Sequence, residues 1–199
     1  NAVRNGFVHE RKTSQAILFA IFDGWSSSSG YSEGKIRAAA LNDSSGNGAS
    51  YAAMGSLMMR FPESLGVNAV HELLRLLVIN DLMGNYDAHL KNFGLLYTDP
   101  TTSDCRLAPA FDLVNTTAYI PEDVLALDLC GQKSFFAARQ GLLDFAKVCQ
   151  VADPRDRVQR LILTTEMVIR HEAEVAESIP HVVAAIQHCT DMLTEVFFD

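Results

Sequence analysis

Residues 67–83 read VNAVHELLRLLVINDLM, and apolar side chains, among them Leu73, Leu74, Leu76, Leu77, Val78, Ile79, Leu82 and Met83, fall on nearly every side of the helix this pattern predicts. A helix that is apolar all round has to be buried on several sides, so the rest of the chain must supply elements to surround it. Gly84-Asn85 follow at once and provide a helix stop. The next residues, Asp87-Ala88-His89-Leu90-Lys91-Asn92, therefore form a loop leaving the end of a core helix, which is a rigid mount for reactive groups. Beyond it, 93–97 reads as a short strand, 98–104 with Asp99-Pro100 as a turn, and 106–108 as a return strand. Such a hairpin brings Ala110-Phe111-Asp112 back beside Asn92.

The order of polar groups in this region is that of a phosphoryl-transfer site. A first carboxylate, Asp87, can accept or orient a hydroxyl proton, while the amide oxygen of Asn92 and the carboxylate of Asp112 can hold Mg²⁺ against nucleotide phosphates. Spacing alone leaves a second reading open, because Asp and Asn after a helix also serve as ordinary turn and cap residues.

The runs DLMGNYDAHLKNFGLLY and RLAPAFDL match, in order and spacing, the catalytic and metal-binding motifs of HipA-like serine/threonine kinases, the toxin component of bacterial toxin–antitoxin modules. This resemblance covers residues 67–114 closely and extends loosely, as a helical tail, to the C-terminus. It implies Asp87 as catalytic Asp, with Asn92 and Asp112 holding Mg²⁺ and ATP. It also places His89 and Lys91 inside the motif, where Lys91 is expected to face the transferred phosphate and His89 to brace the loop by a hydrogen bond. The implied fold is mainly α, a protein-kinase-like C-terminal lobe in which a helical bundle carries the metal site on a short β-hairpin. The implied partners are a protein substrate, with an aminoacyl-tRNA synthetase as a candidate, and a HipB-like DNA-binding antitoxin.

Aminoglycoside-type phosphotransferases share the Asp, the Asn five residues later and the distal Asp, but carry His and Gly before the first Asp, where this chain has Asn85-Tyr86. That departure favours the protein-kinase reading. A non-catalytic interaction lobe that retains the motif is the third alternative.

Before Asp87 there is no G-x-G-x-x-G, no GK[ST] and no strand recognisable as the carrier of a phosphate-binding Lys. Residues 24–30, rich in Ser, and 42–48, NDSSGNG, read as loops. The expectation is that residues 1–199 are one domain equivalent to the C-terminal catalytic lobe, inactive until an N-terminal ATP-binding lobe is supplied. At 199 residues and 48% apolar, the chain can bury on the order of 70% of its unfolded surface. Lys and Arg number 16 against 24 Asp and Glu, so a net charge of −8 argues against direct nucleic-acid binding. An acidic surface suits a basic, DNA-binding partner.

Cys105, Cys130, Cys149 and Cys189 show no C-x-x-C pair and no Cys/His cluster, which speaks against zinc and for buried free thiols. With no leader and no run long enough to span a bilayer in this sequence, a cytoplasmic setting with no membrane contact is the expectation. Helices are expected over 13–25, 138–151 and 154–177, the last with Asp153 as N-cap and Pro154 at its first position. Val182, Ile186, Cys189, Leu193 and Val196 repeat every three or four residues and predict a final helix packed into the bundle. His71, His171, His181 and His188 read as solvated or capping groups, and Glu172, Glu174 and Glu177 as a wetted helix face.

Overall fold

The computed structural model describes residues 32–35, 50–63, 65–97 and 105–198. The helix expected at 13–25, the two loops at 24–30 and 42–48 and the turn at 98–104 lie outside those residues. Along the chain run β1 (Ser32–Lys35), α1 (Tyr51–Met59), α2 (Gly66–Leu82), a 3₁₀ turn (Leu90–Asn92), β2 (Gly94–Tyr97), β3 (Cys105–Leu107), α3 (Phe135–Val148), α4 (Pro154–His171), α5 (Ala173–Ser178) and α6 (Pro180–Phe198).

Helix α2 is the axis of the fold. Val70, Leu73 and Leu82 lie fully inside, and α1, α3, α4 and α6 all pack against the helix, as its all-round apolar sequence requires. Its C-terminus closes as a Schellman motif. Gly84 adopts φ +60°, its N–H donates to the Asp81 carbonyl at 3.1 Å, and the Asn85 N–H donates to the Asn80 carbonyl at 2.8 Å. A Cβ at Gly84 would also collide with Thr117 Oγ1. Gly84→Ala therefore combines left-handed strain with a clash, and urea denaturation is expected to show a loss of about 1–3 kcal/mol.

The expected hairpin is present, with β2 and β3 antiparallel and Leu95 opposite Leu107. It forms part of a three-stranded sheet, because β1 pairs antiparallel with β2, Ser32 opposite Tyr97 and Lys35 opposite Gly94. Its four residues, SEGK, carry none of the apolar alternation that marks a strand from sequence. Helix α1 was also not expected. Ser50 caps it by accepting from the Ala53 N–H at 3.0 Å, and Tyr51, Met54 and Met58 face the core.

The long helix expected over 154–177 is two helices. Glu172, at φ −94° and ψ 42°, interrupts the run, and α5 ends at Ser178 with Ile179 as its C-cap, ahead of Pro180, which starts α6. Asp153 does occupy the N-cap position of α4, yet it sits in the left-handed region at φ 48° and its side chain makes no capping bond. Helix α3 begins and ends three residues earlier than the expected 138–151, with Cys149 as its C-cap and Gln150 at φ 54°. In α6 Val182, Ile186, Cys189 and Leu193 point inward as expected, but Phe197 takes the last core place in place of the half-buried Val196. This stripe packs against α4 and α2 within the bundle.

Among the described residues two apolar clusters result. One surrounds α1, α2 and α3, and the second joins Ile79, Met83 and Leu113 to Val168, Ile179, Val182 and Ile186. Cys149 and Cys189 are buried thiols, pushed up to about 11 and about 12 by burial, so neither is a ready thiolate. Among the described residues no helix is long and apolar enough to cross a membrane.

Candidate active site

Asp87 is exposed, while the residues on either side of it, Tyr86 and Ala88, are buried. The chain at Tyr86 is held from three directions. Its N–H donates to Thr116 Oγ1 at 3.2 Å, its carbonyl accepts from the Ala126 N–H at 2.9 Å, and its hydroxyl donates to Asp81 Oδ1 at 3.3 Å. On the other flank the Tyr51 hydroxyl donates to the Ala88 carbonyl at 2.8 Å, and the Tyr51 ring meets Phe93 edge to face. Burial raises both tyrosines well above the usual phenol range, so each remains a hydrogen-bond donor at any ordinary pH. The backbone of Asp87 is thereby fixed while its carboxylate faces solvent.

The carbonyl of Asp87 organises the rest of the loop. It accepts from the His89 N–H at 2.8 Å and from Asn92 Nδ2 at 3.1 Å. Because the amide nitrogen of Asn92 is used in this way, the amide oxygen is the atom left for a cation. His89 is tied to the loop by its backbone, and its ring Nδ1 is enclosed without a hydrogen-bond partner. Lys91 is exposed in the 3₁₀ turn.

Asp112 lies on the segment that leaves β3, exposed, at φ 54°. Two anchors bind this segment to the loop's surroundings. Upstream, the Ala108 N–H donates to the Gly94 carbonyl at 2.8 Å; downstream, the N–H groups of Thr116 and Thr117 donate to the Gly84 carbonyl at 2.9 and 3.2 Å. Leu113 is buried in the second apolar cluster, so the neighbouring Asp112 carboxylate is turned outward. Asp87 and Asn92 are thus joined directly, whereas Asp112 shares their frame through backbone anchors.

The donor set suits a hard divalent cation, since every candidate ligand atom is oxygen and the Asp112 carboxylate is exposed. Among the described residues no three His, Cys, Asp or Glu side chains gather into a self-sufficient metal site. An Asn and an Asp would leave most of the coordination shell to water and phosphate oxygens, which is how Mg²⁺ is usually held.

Beneath the loop is a buried polar layer that the sequence pattern did not reveal. Arg139, on α3, is 0% exposed and its Nε lies 3.6 Å from Asp81 Oδ2, itself 5% exposed, on α2. Asn85 Nδ2 donates to Asn80 Oδ1 at 2.7 Å, and Asn115 Oδ1 accepts from the Ala118 N–H at 2.7 Å. Burial pushes the Asp81 carboxyl up to about 6, outweighing the pull of Arg139 in the other direction and the hydrogen bond from Tyr86. The available signal was the pair Asn80-Asp81 inside an apolar helix, where polar groups need partners. Nothing in the sequence pointed to Arg139 as that partner.

Residues 30–183 match the model of the HipA-like C-terminal domain. From Sinorhizobium fredii (strain NBRC 101917 / NGR234), the protein named "Putative kinase Y4dM" is 36% identical over 97 residues, 48% of this chain and 22% of that protein. A second from the same organism, "Putative kinase Y4mE", is 31% identical over 126 residues, 61% of this chain and 29% of the relative. The chain therefore spans less than a third of the length of these two relatives. Among solved structures, a chain of the Shewanella oneidensis MR-1 toxin–antitoxin complex of HipA, HipB and operator DNA superposes with a TM-score of 0.61 over 74% of this chain and 36% of that one. At 19% identity that likeness concerns the fold. With the family model matched across most of its length and the motif loop built as described, the chain belongs to the HipA-like C-terminal domain family.

Proposed function

We propose that this chain is the catalytic lobe of a HipA-like serine/threonine kinase that transfers the ATP γ-phosphoryl group to a hydroxyl of a protein substrate. The observation that carries this reading is the asymmetry at residue 87, a solvent-facing carboxylate on a backbone pinned through Tyr86 and Ala88. A surface turn has no use for such fixation, whereas a base that must meet one hydroxyl does. In this reading Asp87 orients the hydroxyl and takes its proton. The Asn92 amide oxygen and the Asp112 carboxylate, on the strand-linked segment, would hold Mg²⁺, which offsets charge on the phosphates when bound. Lys91, exposed one residue before Asn92, is available to the transferred phosphate. The half-buried His89, with its Nδ1 enclosed, acts by shaping the loop.

Asp112→Ala in the complete kinase is expected to raise the Mg²⁺ concentration needed for half-maximal activity by at least about tenfold, measured in a metal titration at fixed ATP. An unchanged requirement would remove Asp112 from the metal site. The resemblance further supplies a HipB-like antitoxin as partner, an aminoacyl-tRNA synthetase as candidate target and the cytoplasm as setting. Transfer of labelled phosphate from ATP, compared between protein and aminoglycoside acceptors, tests the reading. Label on protein hydroxyls is the expected result, and label on the sugar alone would assign the chain to small-molecule phosphotransfer.

A further inference from the structure

Away from the motif loop, between α2 and α4, lies a recess of about 170 Å³ whose polar lining is His71, Glu72, Arg75, Arg157 and Arg160. Three guanidinium groups against one carboxylate leave it positive on a chain of net charge −8. The placement follows from helical spacing. His71 and Arg75 stand one turn apart on α2, Arg157 and Arg160 one turn apart on α4, and the two helices pack face to face. Like charges gathered in this way repel one another unless an anion offsets them.

We propose that this recess is an anion site for a phosphate or phosphate monoester group. Arg157 is already oriented for the task. Its Nε donates to the Ala152 carbonyl at 2.9 Å, which fixes the plane of the guanidinium and leaves its terminal nitrogens for a forked pair of bonds to an oxyanion. Arg160 adds an exposed guanidinium on the same face. Glu72 Oε2 forms an ion pair with Arg75 Nη1 at 3.6 Å, which offsets one of the three guanidinium charges and leaves the recess positive through Arg157 and Arg160.

His71 supplies the independent sign. It was expected to be solvated or capping, yet its Nε2 is enclosed and makes no hydrogen bond, the condition of a polar atom whose partner is a ligand or water. Burial and the charge of Arg157 lower its pKa, and Glu72 opposes them. An anion bound among Arg75, Arg157 and Arg160 would shift His71 upward and favour its charged, donating form. The volume admits a tetrahedral oxyanion with its waters and is below the several hundred Å³ that a nucleotide-sized ligand requires.

The test is a titration of the whole chain with inorganic phosphate, followed through the His71 ring and arginine side-chain NMR signals. Saturable shifts are expected, with a raised His71 titration midpoint. In R157Q/R160Q the dissociation constant should rise by about tenfold or more, while R170Q, an exposed position on the same helix, should leave it unchanged. In phosphate-free buffer Arg157→Gln alone should also raise the His71 midpoint, which separates loss of charge from loss of fold. Competition by a phosphoserine peptide, or by vesicles containing phosphatidic acid, would identify the source of the phosphate. Equal shifts with chloride, an unmoved His71 midpoint, or full affinity in R157Q/R160Q would overturn the assignment.

Discussion

Asp87→Ala in the complete kinase is expected to slow phosphoryl transfer by about 10²- to 10⁴-fold, the usual loss on removing a positioned general base. Because the Asp87 side chain is exposed and its backbone is held by Tyr86, Thr116, Ala126 and Tyr51, the variant should fold as the parent does. Its stability should differ by no more than about 0.5 kcal/mol, the range of ordinary surface changes. Initial-rate measurements at saturating ATP and Mg²⁺, paired with a denaturation curve, separate the two effects. A stable variant that retains the parent's rate would show that Asp87 is a turn residue only. Affinity for the nucleotide should survive in this variant, since its proposed contacts run through Asn92 and Asp112.

The largest expected effect on stability comes from the buried pair beneath the loop. Asp81→Leu leaves the Arg139 guanidinium, 0% exposed, without its carboxylate. Arg cannot neutralise itself by losing a proton, so a cost of about 3–5 kcal/mol is expected. For a chain of this size that lowers Tm by roughly 6–20 °C. Arg139→Met should cost less, because the abandoned Asp81 can take up a proton.

The sign of the pH dependence comes from that asymmetry. With its folded pKa pushed up to about 6 from 3.8, Asp81 binds its proton more tightly in the folded state. Its own contribution therefore favours folding as pH falls from above 6 towards 4, and this favour is lost as pH rises through about 6. The deficit of Arg139→Met relative to the parent should accordingly grow as pH rises above 6, where the parent's Asp81 is ionised and paired. A double variant, Asp81→Leu with Arg139→Met, should lose less than the sum of the two single changes, as expected when an apolar pair replaces a buried ionic one. Strict additivity in urea denaturation would show that the two side chains are uncoupled.

Local information was enough where an element's own residues decide its conformation. The all-apolar run of α2, the Gly84 stop, the hairpin and the inward stripe of α6 could be read directly, because periodicity and turn chemistry act over a few residues. The motif spacing was enough to identify the family, since it encodes the order of groups along one loop and one strand-linked segment. The break at Glu172 escaped because nothing in its composition stops a helix; Pro180 restricts only the residues beside it. Strand β1 escaped because SEGK is a strand by virtue of pairing with β2. Its conformation comes from a neighbour more than fifty residues away.

The same division runs through the site. By itself the sequence determined which groups are available, two carboxylates and an amide in kinase order, and the buried helix from which they spring. Only the tertiary structure decided that Asp87 is pinned at both neighbours, that the Asp112 segment is tethered through Gly84 and Gly94, and that Asp81 meets Arg139. Charge pairing and anchoring of this kind join residues distant along the chain, and their energies depend on burial and on distances of a few ångströms. Those quantities exist only once the helices have packed.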